Sequence, residues 1–332
     1  MLAEMSAGRA GQQRLGTLFE HSPGFMAVLE GADHRIAVAN NAFIDMVGPG
    51  AQIAARLADV LPGFTSEGID KILESVTRTG QQYVGRKKSL SVERPDGSIE
   101  EILVDLVIQP LAQVEGQEPG IFIHGTNVTE DRRNEALRIA HNKVLELAIA
   151  DAPLGTTLAE LIRMVESTSQ TGVLGSILLL EPDGKHLRMG AAPSLPAAYS
   201  ALLDGLEIGD SRGSCGTAAY LGAAVFVVDI EKDPLWAQFK HLPLAHGLRA
   251  CWSTPIMTRG RKVLGTFAMY HRQPREPTAR DMMLVELVTQ TAALVIDREQ
   301  AKSTLDDLLA MHARAPESRP VPEPPDRPVL RH

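Results

Sequence analysis

The chain contains two cysteines, and their surroundings decide whether they are reactive. Cys215 lies at a glycine-flanked start of a predicted helix, where the helix dipole favours a thiolate. Cys251 begins a predicted strand and precedes Trp252. A cysteine nucleophile also needs a positioned base and a third group that orients it, and the sequence identifies neither. We therefore interpret both cysteines as small core side chains, with redox sensing by Cys215 as the alternative.

The histidines give no metal site. His246 precedes Gly247 at a predicted helix C-terminus, which is typical of a helix cap. The alternative is that His246 points into a pocket and contacts a ligand or a haem iron. His241 lies five residues earlier, about 140° away around a helix, so the two make a poor chelating pair. No Cys/His cluster with ligand spacing occurs, and no metal is predicted.

No enzyme motif is present. His141 lies in a predicted helix, but a phosphoacceptor histidine needs an acidic residue directly after it, and Asn142 follows. The ATP-binding boxes of a histidine kinase are missing. Gly-x-x-x-x-Gly-Lys-Ser/Thr, His-Glu-x-x-His and Gly-x-Ser-x-Gly are also absent. The sequence therefore predicts a protein that is not an enzyme.

Composition and charge exclude several other classes. The 332 residues carry a net charge of -8, which gives no basic field for nucleic acid. The longest apolar runs, such as Ile177–Leu180 and Ala292–Ile296, are far shorter than the ~20 residues that cross a bilayer. The N-terminus lacks the apolar core of a signal peptide. We expect a cytoplasmic protein that binds neither nucleic acid nor membrane.

Apolar periodicity and turn signals predict two α+β domains, each with a central antiparallel sheet flanked by helices. Asp-Gly signals at Asp96-Gly97 and Asp183-Gly184 predict tight hairpins, and a third is predicted at Gly260-Arg261. The predicted organisation is a disordered lead-in (1–13), a first domain (14–130), a helical linker (131–150), a second domain (151–300), and a helix extension with a Pro-rich disordered tail (301–332).

Two predicted helices have apolar stripes that must be covered. One covers about residues 127–150, with Leu137, Ala140, Val144 and Leu147 on one side. The other runs from about Thr278 to Arg298. We expect these helices to pair in a homodimer, although packing of each helix on its own domain is the alternative.

The first domain resembles PAS domains. The resemblance rests on Leu18–Leu29, on Arg35–Phe43 with its Asn-rich helix start, and on Gly125–Asp131. The last segment carries the closing signature of that family, with Asn127 where Asp is usual. The resemblance implies a small-molecule pocket between sheet and helices, and we place Phe25, Asn40, Asn41 and Phe43 in it.

The second domain is similar to GAF domains of bacterial sensor proteins. The residues that carry this similarity are Gly209–Tyr220, Val228–Trp236, Leu244–Ile256 and Val263–Phe267. The candidate pocket residues are Cys215, Trp236, His246, Cys251 and Trp252. The Cys-His pair of many bilin-binding GAF domains is missing, and no cysteine precedes Cys215 to form a flavin adduct. No cofactor is predicted, with haem, flavin and bilin left as alternatives.

Together these resemblances imply a sensory or regulatory module that binds a small molecule and relays the signal through its helices. Its partners would be a small-molecule ligand, a second copy of the chain, and a downstream kinase or response regulator. In such families PAS and GAF domains precede histidine kinase or diguanylate cyclase domains, and none is visible here. The alternatives are the sensory half of such a system with a missing or separately encoded output domain, and an interaction protein that docks through Pro316–His332.

Overall fold

A computed structural model describes residues 13–48, 53–61, 68–94, 97–112, 119–169 and 171–313. The chain divides into two compact units, residues 1–135 and 136–332, called here the first and the second unit. Each contains one antiparallel sheet flanked by helices, as predicted. The segments expected to be disordered, 1–13 and 316–332, lie outside the described residues apart from Gln13, which begins a helix.

The sheet of the first unit has five strands in the spatial order β2-β1-β5-β4-β3. The strands are β1 (Phe25–Glu30), β2 (Arg35–Ala39), β3 (Tyr83–Glu93), β4 (Ile99–Pro110) and β5 (Gly120–Asn127). Every neighbouring pair is antiparallel. The predicted hairpin between β3 and β4 is present, although two of its turn residues, 95 and 96, lie outside the described residues.

The helices of the first unit are α1 (13–20), α2 (Asn41–Val47), α3 (Leu57–Val60) and α4 (Ile69–Thr79). Side chains alternate between the two faces of a strand, so one face of the sheet can bury every second residue. That face packs with α2, α3 and α4 into one core, in which Phe43, Leu73 and Ile108 are almost completely buried. Only this face of the sheet is used for the core, which fits the alternating pattern of its sequence.

The sheet of the second unit has six strands in the order β8-β7-β6-β11-β10-β9. The strands are β6 (Leu174–Leu180), β7 (His186–Ala191), β8 (Leu206–Glu207), β9 (Val225–Val227), β10 (Ala250–Met257) and β11 (Val263–His271). The two predicted hairpins are confirmed. Gly184 takes a left-handed φ of 67° in the β6–β7 turn, and Arg261 closes the β10–β11 turn with a φ of 63°.

Helices cover both faces of this second sheet. They are α5 (Thr129–Ile149, from 136 onward in the second unit), α6 (Leu154–Thr168), α7 (Ala197–Leu203), α8 (Gly213–Leu221), the 3-10 turn Pro234–Trp236, α9 (His241–Leu244) and α10 (Ala279–Ala313). On one face α5, α6 and α10 form the helical core with strand residues such as Phe267. On the other face α7, α8 and the 3-10 turn form a second core with Leu178 and Tyr270. We call these two sides the helical face and the cavity face.

The apolar stripes of α5 and α10 are covered inside the second unit. Val144 of α5 and Val288 of α10 are completely buried in the helical core. His141 Nε2 lies 2.9 Å from Thr291 Oγ1, so this histidine contacts α10. Leu137 and Ala140 of α5 pack against the same core and are partly exposed, so packing of each helix on its own domain covers much of these stripes. Pairing between two copies through the stripes stays a prediction. No helix among the described residues is long and apolar enough to cross a membrane.

Candidate functional site

Three of the four residues proposed for a pocket in the first unit have structural roles. Phe25 and Phe43 are buried in the core, at 4% and 1% exposure, and Asn41 is exposed on α2. None of them lines the cavity of about 30 Å³ found beside α4 and β3. The prediction of a ligand site is corrected for Phe25, Phe43 and Asn40, because the two phenylalanines pack in the core and Asn40 caps α2.

Asn40 shows most clearly why a polar residue is buried there. Its Oδ1 accepts hydrogen bonds from Met26 N at 2.8 Å and from Phe43 N at 3.0 Å, and its Nδ2 donates to Gly24 O at 2.8 Å. Asn40 is the N-cap of α2 and also joins that helix to β1. Its hydrogen-bonding groups are thus used within the protein.

The second unit contains a cavity of about 50 Å³ on the cavity face. Cys215 and Trp236, two of the predicted site residues, line it. The remaining lining residues come from α7 to α9 and their connections: Tyr199, Leu202, Leu203, Leu206, Arg212, Gly213, Phe239 and Leu242. The walls are mostly apolar, and the volume accommodates one to a few water-sized molecules.

A chain of hydrogen bonds fixes Trp236 beside this cavity. Asp233 caps the 3-10 turn through a bond from Leu235 N at 2.9 Å, which orients the turn. Trp236 Nε1 donates to Ser214 Oγ at 3.1 Å, and Ser214 Oγ donates to Cys251 O at 3.0 Å. The chain joins the 3-10 turn, the first turn of α8 and the strand β10.

Gly213 allows this close approach. Its φ is 63°, and a Cβ at this position would lie 3.2 Å from two atoms of the Trp236 ring. We expect Gly213→Ala to lower the free energy of unfolding by about 2 kcal/mol, from left-handed strain and from displacement of the indole. The matched control is Gly222→Ala, because Gly222 has a φ of 60° but its added Cβ would meet only Val263 Cγ2, at 3.9 Å.

For the control Gly222→Ala, we expect the free energy of unfolding to fall by about 1 kcal/mol, from backbone strain alone. Urea denaturation followed by circular dichroism measures both variants. Equal losses would show that the contact with Trp236 contributes nothing.

Cys215 lies in the wall of the cavity, and Cys251 belongs to the same core cluster without lining the cavity. Cys215 is 3% exposed and Cys251 is completely buried, and both belong to the core of the cavity face. Cys215 Sγ lies 3.6 Å from the Tyr270 hydroxyl. Hydrogen bonding with the Cys251 thiol, together with the Tyr270 hydroxyl, lowers the pKa of Cys215 to about 7 against the effect of burial. Burial and the neighbouring Cys215 raise the pKa of Cys251 well above its usual value.

Several buried hydroxyls of this unit have unused hydrogen-bonding capacity. Among the described residues, Tyr199 Oη, Ser253 Oγ and Thr266 Oγ1 have no hydrogen-bond partner. Tyr199 lines the cavity, and its ring packs edge-on against Tyr270 at 5.7 Å between centroids. Unpaired buried hydroxyls cost free energy, so a small polar ligand that bonds to one of them would gain the corresponding amount.

His246 reaches this region through an aromatic contact. It lies just after α9, where Gly247 takes a left-handed φ of 70°, as expected for a helix end. Its ring also packs against Tyr199 at 5.6 Å between centroids. His246 therefore lies just after a helix end, as the cap prediction expected. It also contacts Tyr199, a residue of the cavity wall, while a contact with a ligand stays a prediction.

Trp252 lies on the opposite face of the sheet from Cys251, as neighbours on a strand must. It belongs to the helical core, where its ring packs against His271 at 4.2 Å between centroids. Its Nε1 donates to Arg275 O at 3.2 Å, so its polar group is satisfied away from the cavity. The prediction that Trp252 belongs to the pocket is therefore corrected, because its side chain lies in the helical core on the other face of the sheet.

Sequence reasoning missed Tyr199, Ser214 and Tyr270. Tyr270 pairs directly with Cys251 in the β10–β11 ladder. The predicted turn at Gly260-Arg261 could have indicated this pair, because the position of a hairpin turn determines which residues of the two strands face each other. Ser214 is adjacent to Cys215, but only the packing of α8 on β10 shows that its hydroxyl bonds to the strand. Nothing in the local pattern of Tyr199 marks it as a cavity residue.

Comparisons with known proteins assign the second unit. The methyl sulfide methyltransferase-associated sensor of Methanosarcina acetivorans is 33% identical over 181 residues, which cover 54% of this chain and 18% of that relative. The chain thus spans less than a fifth of the length of this curated relative.

Solved structures that match part of the chain include the GAF domain of an Acinetobacter phosphoenolpyruvate-protein phosphotransferase. It is 17% identical with a TM-score of 0.41, covering 52% of this chain and 98% of that one. The chromophore-binding domain of a bacteriophytochrome from R. palustris is 16% identical with a TM-score of 0.38, covering 84% and 95%. The family model described as GAF domain matches residues 151–297. This part of the chain, which holds the cavity and both cysteines, is therefore a GAF domain.

Proposed function

We propose that the chain is a sensory module whose GAF domain receives a very small molecule in the cavity lined by Cys215, Trp236 and Tyr199. The observation that carries this proposal is a mostly apolar cavity whose wall contains the Cys215 thiol and the buried Tyr199 hydroxyl, which has no hydrogen-bond partner among the described residues. The GAF domain and the similarity to a protein named as a sensor support it. We further propose a cytoplasmic location and a downstream kinase or response regulator as the partner.

The volume of the cavity limits the ligand. Pockets for drug-sized molecules measure roughly 300–1,000 Å³, whereas this cavity measures about 50 Å³. A haem, a flavin or a bilin does not fit the space between Tyr199 and Trp236. The proposed ligand therefore has only a few non-hydrogen atoms.

We propose that the first unit is a PAS domain with a regulatory role that does not depend on a ligand. Its two strands, short helices and three further strands follow the order that the PAS resemblance implies. Its helices cover one face of the antiparallel sheet. The packed Phe25 and Phe43 and the saturated Asn40 favour a structural interior.

Xenon is a suitable probe for the GAF cavity, because apolar cavities of this kind bind it. Under xenon pressure we expect concentration-dependent NMR shifts of the Trp236 indole N–H and of amides in α8. Leu203→Phe should abolish them, because Leu203 lines the cavity and the larger side chain fills it. Leu221→Phe is the control, since Leu221 is 58% exposed. Absent shifts, or equal shifts in Leu203→Phe, would refute the cavity proposal.

We also propose a homodimer through the outer side of α10, as the route by which the signal leaves the module. Leu294, Leu305 and Leu308 are exposed by 55% or more. With Ala301 they follow the spacing of seven, four and three residues that is typical of a coiled-coil seam. This seam differs from the buried stripe predicted from sequence.

Equilibrium sedimentation at tens of micromolar protein tests the dimer. We expect a dimer for the unchanged chain and a monomer for the double variant Leu305→Lys, Leu308→Lys. Ile149→Lys, which changes an exposed residue of α5, should leave the dimer intact. A monomeric unchanged chain would remove the dimer from the proposal.

A further inference from the structure

We propose that Cys215 and Cys251 form a redox pair that hydrogen peroxide converts to a disulfide. The inference names the chemical input of the GAF cavity and so rests on the proposed function of that site. It assigns Cys215 as the residue that reacts with peroxide and Cys251 as the residue that resolves the product.

Packing of α8 on β10 brings the two residues together although 35 residues separate them in sequence. Ser214 Oγ donates to the backbone oxygen of Cys251, which fixes the start of α8 against the strand. Cys215 Sγ lies 3.6 Å from the hydroxyl of Tyr270, the residue that pairs directly with Cys251 in the β10–β11 ladder, and both cysteine side chains belong to one core cluster. A disulfide needs two Cα atoms within about 7 Å and Cβ atoms that face each other, and we infer that this packing brings the two thiols within that reach.

The positions of the two thiols give them different roles. Cys215 lines the cavity, so a molecule inside the cavity can contact its sulfur. Cys251 does not line the cavity and is completely buried behind it. An oxidant in the cavity therefore meets Cys215 first.

The protonation states of the pair agree with these roles. Hydrogen bonds to Cys215 lower its pKa to about 7, which favours the reactive thiolate more than in an ordinary cysteine. The raised pKa of Cys251 keeps that residue as a thiol. The Tyr270 hydroxyl lies 3.6 Å from Cys215 Sγ and so contacts this thiol directly.

The cavity selects the oxidant by size. A volume of about 50 Å³ admits hydrogen peroxide, which is little larger than water. Glutathione disulfide, the common alternative oxidant of thiols, is far larger than the space between Leu203, Leu206 and Phe239. Peroxide should therefore oxidise the native protein and glutathione disulfide should not.

The reaction takes two steps. The Cys215 thiolate attacks one oxygen of peroxide, the O–O bond breaks, and the departing hydroxide takes a proton to become water, leaving a sulfenic acid on Cys215. The Cys251 sulfur then attacks the Cys215 sulfur, and the S–O bond breaks as the S–S bond forms. The departing hydroxide and the proton of the Cys251 thiol form the second water. The two thiols lose two electrons, and peroxide gains them.

The test treats the reduced, folded chain with hydrogen peroxide and then alkylates the remaining thiols after denaturation. We expect both cysteines to escape alkylation, the intact mass to fall by two hydrogen atoms, and dithiothreitol to reverse both changes. Equimolar glutathione disulfide should leave both thiols free. Persistence of both thiols at a peroxide concentration that oxidises the urea-unfolded chain would overturn the proposal.

Variants separate the two steps. In the Cys251→Ser variant, oxidation should stop at the sulfenic acid on Cys215, which dimedone captures. Cys251→Ala is a second variant with the same expected result, and it leaves no hydroxyl in the core. Cys215→Ser should not react at the same peroxide concentration. Equal capture of sulfenic acid at Cys251 in Cys215→Ser would reverse the assigned roles and refute them.

Tyr270→Phe tests the positioning of the thiolate. Loss of its hydroxyl removes a hydrogen bond to Cys215, so the midpoint of the rate-against-pH profile should move to higher pH, with several-fold slower oxidation at pH 7. An unchanged profile would exclude this role for Tyr270.

The outcomes also distinguish this inference from the proposed function. Xenon binding without a disulfide would remove the redox pair and keep the cavity. A disulfide in a chain that excludes xenon would remove the cavity as the receptor site.

Discussion

Replacing Asn40 by alanine is expected to lower the free energy of unfolding of the first unit by about 3 to 5 kcal/mol. The side chain is completely buried and makes three hydrogen bonds of 2.8 to 3.0 Å with backbone groups. Alanine leaves the N–H of Met26 and the oxygen of Gly24 without these partners, whereas the N–H of Phe43 keeps its bond to the backbone oxygen of residue 40 at 3.1 Å. Each orphaned buried group costs about 1–3 kcal/mol, and the helix also loses its N-cap.

Hydrogen exchange of peptides between Phe25 and Val47, measured against urea concentration, reports this loss for the first unit alone. Asn41→Ala is the matched control, because Asn41 is exposed beside the same helix start, and we expect a change within about 0.5 kcal/mol. Asn40→Asp keeps the acceptor oxygen and loses the donor, so it should fall between the two. Similar losses for Asn40→Ala and Asn41→Ala would refute the buried network as the source of stability.

A fall in pH from 6.5 to 4 is expected to remove about 2 to 3 kcal/mol of stability from the second unit through His271 alone. The residue is 3% exposed, and neither ring nitrogen has a hydrogen-bond partner among the described residues. Burial, assisted by the charge of Arg275 and opposed by Asp281, lowers the pKa of His271 to about 4. The full difference between the pKa of His271 in the unfolded and in the folded chain corresponds to about 3 kcal/mol of unfolding free energy. Solvent screening reduces this value somewhat.

The sign follows from proton binding. Above pH 6.5 the imidazole of His271 is neutral in both the folded and the unfolded chain. The second unit then has its full stability with respect to this residue. Between pH 6.5 and 4 the unfolded chain binds a proton that the folded chain does not, so stability falls as pH falls. Below the folded pKa of about 4 the loss is complete.

Urea denaturation at several pH values, compared between the unchanged chain and His271→Phe, isolates this residue from the titrating carboxylates. Phe keeps a ring against Trp252 and removes two unpartnered nitrogens, so its stability at pH 7 should equal or exceed that of the unchanged chain. His241→Gln, which changes an exposed histidine, should follow the unchanged chain at every pH. Parallel curves for His271→Phe and the unchanged chain would refute the prediction.

Much of the fold follows from short-range sequence signals. Asp183-Gly184 predicted a turn because glycine takes the left-handed φ found there, and Asn40 predicted the cap of α2 because its side chain accepts from the first helical turn. The stripe on α10 predicted a long helix, which the structure extends to Ala313. The two-residue strand β8 and the short helix α3 were missed, since such short elements depend on tertiary contacts.

The site could be predicted only in part, because it depends on contacts between distant segments. Cys215 and Trp236 were named from a family resemblance, and both line the cavity. Their connection through Ser214 depends on how α8 packs on β10, which no periodicity encodes. The placement of Trp252 was a different error: strand alternation already puts it on the opposite face from Cys251.

The placement of the two tryptophans gives the GAF domain an internal optical readout. Both indoles of the chain lie in this domain, Trp236 beside Ser214 on one side of the sheet and Trp252 against His271 on the other. Fluorescence from a Trp252→Phe variant would report only the side with the thiols, and that from Trp236→Phe only the side with the imidazole. Oxidation and acidification would then produce signals from different fluorophores, without any added label.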